Sequence, residues 1–240
     1  MIKNLLIFAL VVVMVASCRR VTTSHSASAT PASTRILFIG NSFTYFNNGI
    51  DRYLNSFAPS SKASSVALGG YTLENHWNNN ATQQALHQGG WGYVVLQEQS
   101  QVPIFDPTGF HQFAVAFDRK IKAIGAKTIL FMTWERPDSV SQGVTTQNLA
   151  SAYNNVGAEL GAKVAPVGLA FARSLSEKPD LSLYNVDGHP TIYGTYLATC
   201  VLYGTIFERS PEGNPYIDKE ISTELQTYLQ KTAAKTLGYE

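Results

Sequence analysis

From residue 35 onward, short continuous apolar runs alternate with stretches in which apolar residues recur every three or four positions. The run at 35–39 (RILFI) ends in Gly40, and its unbroken hydrophobicity predicts a strand buried on both faces. At 49–57, Ile50, Tyr53, Leu54 and Phe57 fall on one side of a predicted helix. Further strands are predicted at 65–68, running into Gly69-Gly70, at 93–96, at 127–132 and at 162–167. Helices are expected at 108–124, 146–160, 192–207 and 219–236. Strands alternating with helices make βαβ units, whose right-handed crossovers cover both faces of a parallel sheet. The expected class is α/β: a three-layer α/β/α sandwich around a parallel sheet of about five strands. No repeat and no interior linker divides residues 35–240, which read as one domain.

The first 34 residues follow another pattern. Lys3 precedes twelve apolar residues, Leu5 to Ala16. A run of that length falls short of the roughly 20 residues a bilayer demands but suits the apolar region of a signal peptide. Val15-Ala16-Ser17-Cys18 resembles a bacterial lipobox, which implies a signal at 1–17 and lipidation at Cys18. Residues 18–34, rich in Ser, Thr and Ala, read as a flexible tether. The expectation is an exported, membrane-anchored lipoprotein on the periplasmic or cell-surface face.

Charge and cysteine content narrow the functional classes. The chain of 240 residues carries 18 Lys and Arg against 17 Asp and Glu, so nothing argues for a nucleic-acid partner. Two cysteines exclude a disulfide scaffold, and with Cys18 lipidated, Cys200 has no partner within the chain. Five scattered histidines leave a histidine-based metal site possible but unsupported.

In open parallel sheets the chemistry lies beyond the carboxyl ends of the strands. Four polar or glycine-rich signals fall there: Gly40-Asn41-Ser42, Gly69-Gly70, Gln97-Glu98-Gln99-Ser100 and Thr133-Trp134-Glu135. Ser42 is either a helix cap or a nucleophile whose N–H also faces developing negative charge. Far downstream, Asp187-Gly188-His189-Pro190 sets a carboxylate two residues from an imidazole. Asp187 is either a turn residue or the group that orients His189, and His189 is either packed on Pro190 or a general base.

Together these segments resemble the SGNH hydrolases. Gly40-Asn41-Ser42-Phe43 looks like the GDSL-type first block with Asn in place of Asp, Gly70 like the second-block glycine, and Asp187-Gly188-His189-Pro190 with Gly194 like the last block. Two departures stand out: one residue rather than two separates Asp187 from His189, and Gln97-Glu98-Gln99-Ser100 replaces the usual Gly-x-Asn-Asp. The latter looks like the Gln-Gly-Glu-Ser variant of sialic-acid and acetyl-xylan esterases. The resemblance implies a flavodoxin-like fold and a serine esterase with catalytic Ser42, His189 and Asp187, needing no cofactor or metal. It implies an oxyanion hole of the Ser42 and Gly70 N–H groups with Gln97, or second Gln99, as side-chain donor; the alternative for either amide is pairing with buried backbone. Asn41, His76, Trp77, Trp134 and Glu135 are candidates for the substrate cleft; the alternative for His76 is a packed or surface histidine, and for Trp134 and Glu135 a rim tryptophan beside a surface ion pair. The tyrosines at 193, 196 and 203 recur at near-helical spacing and read as core. The expected substrate is a small ester, an O-acetyl group on carbohydrate above all. The alternatives are a lipase- or lysophospholipase-like acylhydrolase and a non-catalytic carbohydrate-binding surface lipoprotein on the same fold.

Overall fold

The computed structural model describes residues 33–239, so the expected signal at 1–17, the expected lipidation site Cys18 and most of the expected tether lie outside the described residues. Five strands, β1 (Thr34–Gly40), β2 (Ser61–Ala67), β3 (Tyr93–Leu96), β4 (Lys127–Phe131) and β5 (Lys163–Ala165), form one sheet in the order β2-β1-β3-β4-β5. Every pairing is parallel, with Ile36 opposite Tyr93 and Ile39 opposite Leu96 across the central pair. This is the doubly wound order whose connections diverge at β1 and β3, opening a crevice at their carboxyl ends.

Successive strand residues point to opposite faces, so an apolar run supplies two cores at once. Ile36 and Phe38 of β1, Val95 of β3, and Ile129 and Phe131 of β4 join one core. Against it pack α2 (Ile50–Phe57), α8 (Val167–Glu177), α9 (Ile192–Phe207) and α10 (Thr223–Leu237). Leu37, Ile39, Val94, Leu96 and Leu130 point the other way, to α3 (Leu73–Trp77), α4 (Asn80–His87), α6 (Pro107–Ala123) and α7 (Thr146–Leu160). Helix α9 is apolar all round because α2, α8, α10 and the sheet enclose it; Tyr196 is fully buried in it, while Tyr193 and Tyr203 pack at the core's margin.

The structure adds elements that the pattern of apolar residues did not mark. Strand β2 begins at Ser61, earlier than the expected 65, because an edge strand can present Lys62 and Ser64 to solvent. Helix α8 begins at Val167, where the fifth strand is expected to end, and fills a stretch for which the pattern predicts no element. Two one-turn helices, α1 (Ser42–Tyr45) and α5 (Val102–Phe105), are too short for periodicity to register.

Candidate active site

The crevice between β1 and β3 is built from four loops. Asn41 leaves β1 as the cap of α1: its Oδ1 accepts from the Phe43 N–H at 3.1 Å and its Nδ2 donates to Tyr71 O at 3.0 Å. From β3, the Gln97 side chain reaches across. Its Oε1 accepts from the Asn41 N–H at 2.9 Å and from Thr44 Oγ1 at 3.0 Å. Its Nε2 donates to Asn41 Oδ1 at 2.9 Å and to Glu98 O at 2.6 Å. The amide orientation is forced, since flipping it would set its NH₂ against the Asn41 N–H. Gly40 is required by this closeness: a Cβ there would meet Gln97 Oε1 at 2.6 Å and Thr44 Oγ1 at 2.5 Å.

Ser42 follows at the first position of α1, 9% exposed. Among the described residues, neither its N–H nor that of Gly70 has an acceptor within the protein. Gly70 holds φ +70°, a left-handed backbone that turns the chain after β2. Gln99 turns its Oε1 back to the N–H groups of Gln101, at 2.8 Å, and Val102, at 3.2 Å, which leaves its amide NH₂ unengaged among the described residues.

His189 arrives from the loop before α9. Its ring lies flat on Phe46, with centroids 4.1 Å apart, and edge-on to Phe43 at 6.0 Å. Asp187 Oδ2 is 2.9 Å from Nδ1, at ion-pair distance but off the axis of a directed hydrogen bond. Asp187 Oδ1 accepts from the His189 backbone N–H at 3.1 Å. The His189 ring and N–H hold the exposed Asp187 carboxyl below its ordinary value. The shortened spacing therefore still brings the two side chains together. Asn47 Nδ2, just past Phe46, donates to Pro190 O at 2.8 Å and to Thr195 Oγ1 at 2.9 Å, tying the Ser42 segment to this loop.

Several expected cleft residues are placed elsewhere. Gln97, the first-choice oxyanion donor, has both amide protons taken by buried acceptors; it organises the loop and has none to offer a substrate. Asn41 is buried and works on the backbone around it. His76 is fully buried in α3, with Nε2 2.8 Å from Gly40 O and Nδ1 2.8 Å from Thr82 Oγ1, and burial lowers its pKa. Trp77 packs edge-on against Phe117 on the α6 side of the sheet. Trp134 is 1% exposed, with its ring sandwiched between Phe43 and Phe171, so it offers no platform to a sugar. Glu135 Oε2 accepts from the Thr146 N–H at 2.7 Å at the start of α7, and the residue borders a cavity of about 300 Å³ with Tyr184.

Glu98 was not among the expected site residues. It is buried beside Gln97, and its Oε1 accepts from the N–H groups of Gln99, at 2.6 Å, and Leu73, at 3.1 Å. It thus joins the segment after Gly70 to the one after β3. Burial pushes its pKa up to about 7, helped by the nearby Asp106 and Glu74 carboxylates and opposed by those two N–H bonds. A signal was present: strand alternation places Glu98 on the face of Val94 and Leu96, where a carboxyl has no solvent.

No family model matches the chain, nor does any curated protein. Solved structures do. A protein of Slackia heliotrinireducens assigned as an SGNH hydrolase is 30% identical over 72% of this chain and 99% of its own, with a TM-score of 0.66. A DUF4886 family protein from Bacteroides uniformis, 17% identical, aligns over 86% of this chain and 95% of its own with a TM-score of 0.68. The psychrotrophic esterase EstA from Pseudoalteromonas, 16% identical, covers 73% of this chain and 98% of its own at 0.57. The last two share the fold. The first spans nearly its whole length at higher identity, on a sheet whose β1, β2 and β3 ends carry the blocks read from the sequence. The chain belongs to the SGNH hydrolase family.

Proposed function

We propose that this hydrolase acts as a serine esterase on small O-acyl groups carried by a polar alcohol, O-acetylated carbohydrate above all. The supporting observation is the meeting of the two sequence-distant segments: Phe46, at the end of α1, carries the His189 ring, whose Nδ1 faces Asp187 Oδ2 at 2.9 Å. Ser42 opens the same one-turn helix.

Ser42 Oγ attacks the ester carbonyl carbon while His189 Nε2 takes its proton. The imidazolium so formed is stabilised by Asp187. The carbonyl oxygen becomes an oxyanion held by the Ser42 and Gly70 N–H groups, with the Gln99 amide as side-chain donor in place of Gln97. The tetrahedral intermediate collapses, the C–O bond to the alcohol breaks, and His189 returns the proton to the departing oxygen. Water, deprotonated by His189, then releases the acid and restores Ser42. Serine–histidine distances of such sites tighten when substrate binds.

A polar leaving group is favoured by a cavity of about 380 Å³ lined in part by Asn47 and Ile192. Its walls include Asn48, Arg52, Ser56, Tyr216 and Asp218, groups suited to hydroxyls. A longer, apolar acyl group is favoured by one observation. Tyr45, Leu68, Phe105 and Val140 are exposed on the segments that follow β1, β2, β3 and β4, and Val186 is exposed on the loop before α9. Rates on a series of p-nitrophenyl esters from acetyl to octanoyl decide between them: acetyl preference is expected, and octanoyl preference would move the assignment to a lipase-like acylhydrolase. Membrane anchoring through Cys18 is proposed with it, and Cys18→Ala should release the protein from the membrane fraction.

A further inference from the structure

Ser42 and His189 lie 147 positions apart in the chain and must be held in register by something other than the local turns that carry them. The Asp187–His189 turn is shaped from inside, the Asn185 N–H donating to His189 O and the Gly188 N–H to Asn185 O, both at 2.8 Å. Neither bond determines where the turn stands relative to α1. Trp134 touches both. Its ring lies parallel to Phe43, the residue after Ser42, with centroids 4.1 Å apart and planes 3° apart. Phe171 closes the other face at 4.3 Å and 11°. Its Nε1 donates to Gly188 O at 3.1 Å, one residue before His189.

We propose that Trp134 is a positioning residue for ester hydrolysis: a single indole, immobilised between Phe43 and Phe171, holds the His189 turn at a set distance from the Ser42 helix. The proposal rests on the assignment of Ser42 and His189 as nucleophile and base. Three features support it. The indole has almost no freedom, being 1% exposed and stacked on both faces. Its N–H is its only polar group, and a buried indole N–H left without an acceptor is costly, so the bond to Gly188 O is strongly preferred over an open turn. The turn is also pressed against its neighbour. Gly188 takes φ +83°, and a Cβ there would stand 2.7 Å from Arg136 Nε, two residues beyond Trp134. Asn47 holds the other side of His189 through Pro190 O.

Proximity effects make such positioning measurable, since a misplacement of about 1 Å can cost on the order of 100-fold in rate. Trp134→Phe keeps an aromatic ring in the sandwich and removes the donor. A second variant, with β-(3-benzothienyl)alanine placed at position 134, keeps the bicyclic shape and replaces N–H by sulfur. Both are expected to lower kcat on p-nitrophenyl acetate by roughly 10-fold or more. KM should stay within about twofold, because no substrate contact is lost; Tm should stay within a few degrees in the benzothienyl variant, while Trp134→Phe, which leaves a cavity in a fully buried site, also loses stability. Wild-type kcat in the benzothienyl variant overturns the proposal, as does a fall in activity that only follows loss of Tm. His189→Ala, assayed alongside, separates the layers: full activity there defeats the assignment of the base, whatever the Trp134 variants do.

Discussion

Asn41 and Gln97 face each other as a reciprocal amide pair, the Asn41 N–H donating to Gln97 Oε1 and Gln97 Nε2 donating to Asn41 Oδ1, both at 2.9 Å. The pair stitches the residue before Ser42 to the end of β3. Gln97→Glu keeps its shape but sets an acceptor against Asn41 Oδ1 and Glu98 O and buries a charge. Stability in urea should fall by about 3 kcal/mol or more. A loss below about 0.5 kcal/mol would show that the pair contributes little to the loop.

The two buried titratable groups flanking this pair give opposite pH dependences. The Glu98 pKa is raised from 4.5 to about 7, so the folded protein keeps a proton that the unfolded chain releases. Stability contributed by this group therefore falls as pH rises from about 4.5 to 7, by up to about 3 kcal/mol. The His76 pKa is lowered from 6.5, so the unfolded chain takes up a proton that the folded protein refuses, and stability falls as pH drops below about 6.5. Denaturant titrations of Glu98→Gln should lose the first dependence and reveal the second as stability that rises with pH. An unchanged profile would mean that Glu98 ionises normally.

Gly194, one turn into α9, packs directly on the backbone: a Cβ there would stand 2.0 Å from Leu183 O. Gly194→Ala must push α9 away from the segment that pairs Tyr184 with Pro190, next to His189. A stability loss of about 1–3 kcal/mol is expected, with a fall in kcat beyond it. Wild-type stability and rate would show that this contact gives way freely.

What the sequence discloses depends on how local the cause is. The sheet was legible because strands such as residues 35–39 must be apolar on both faces, and α9 because its apolar run is long and capped. Helix α1 escaped, being a single turn made by the Asn41 side chain and not by periodicity. Ser42, Gly70 and His189 stood out as candidates because their segments occupy the carboxyl ends of strands or carry an Asp–His pair. The fates of Gln97, Trp134 and His76 could not. Whether an amide faces substrate or a buried backbone is decided by partners 56 positions away, as between Gln97 and Asn41. Likewise, a Trp at a strand end serves as a sugar platform or as a wedge between loops according to what packs on its faces. Here those faces meet Phe43 and Phe171.

The central claim is that Ser42 is a nucleophile activated by His189, and covalent labelling tests it most directly. A fluorophosphonate probe should modify the wild-type protein at Ser42, identified by mass spectrometry of the labelled peptide. Labelling should vanish in Ser42→Ala and slow by at least about 1,000-fold in His189→Ala. Folded wild-type protein that takes no label, or label that persists in Ser42→Ala, would contradict the account.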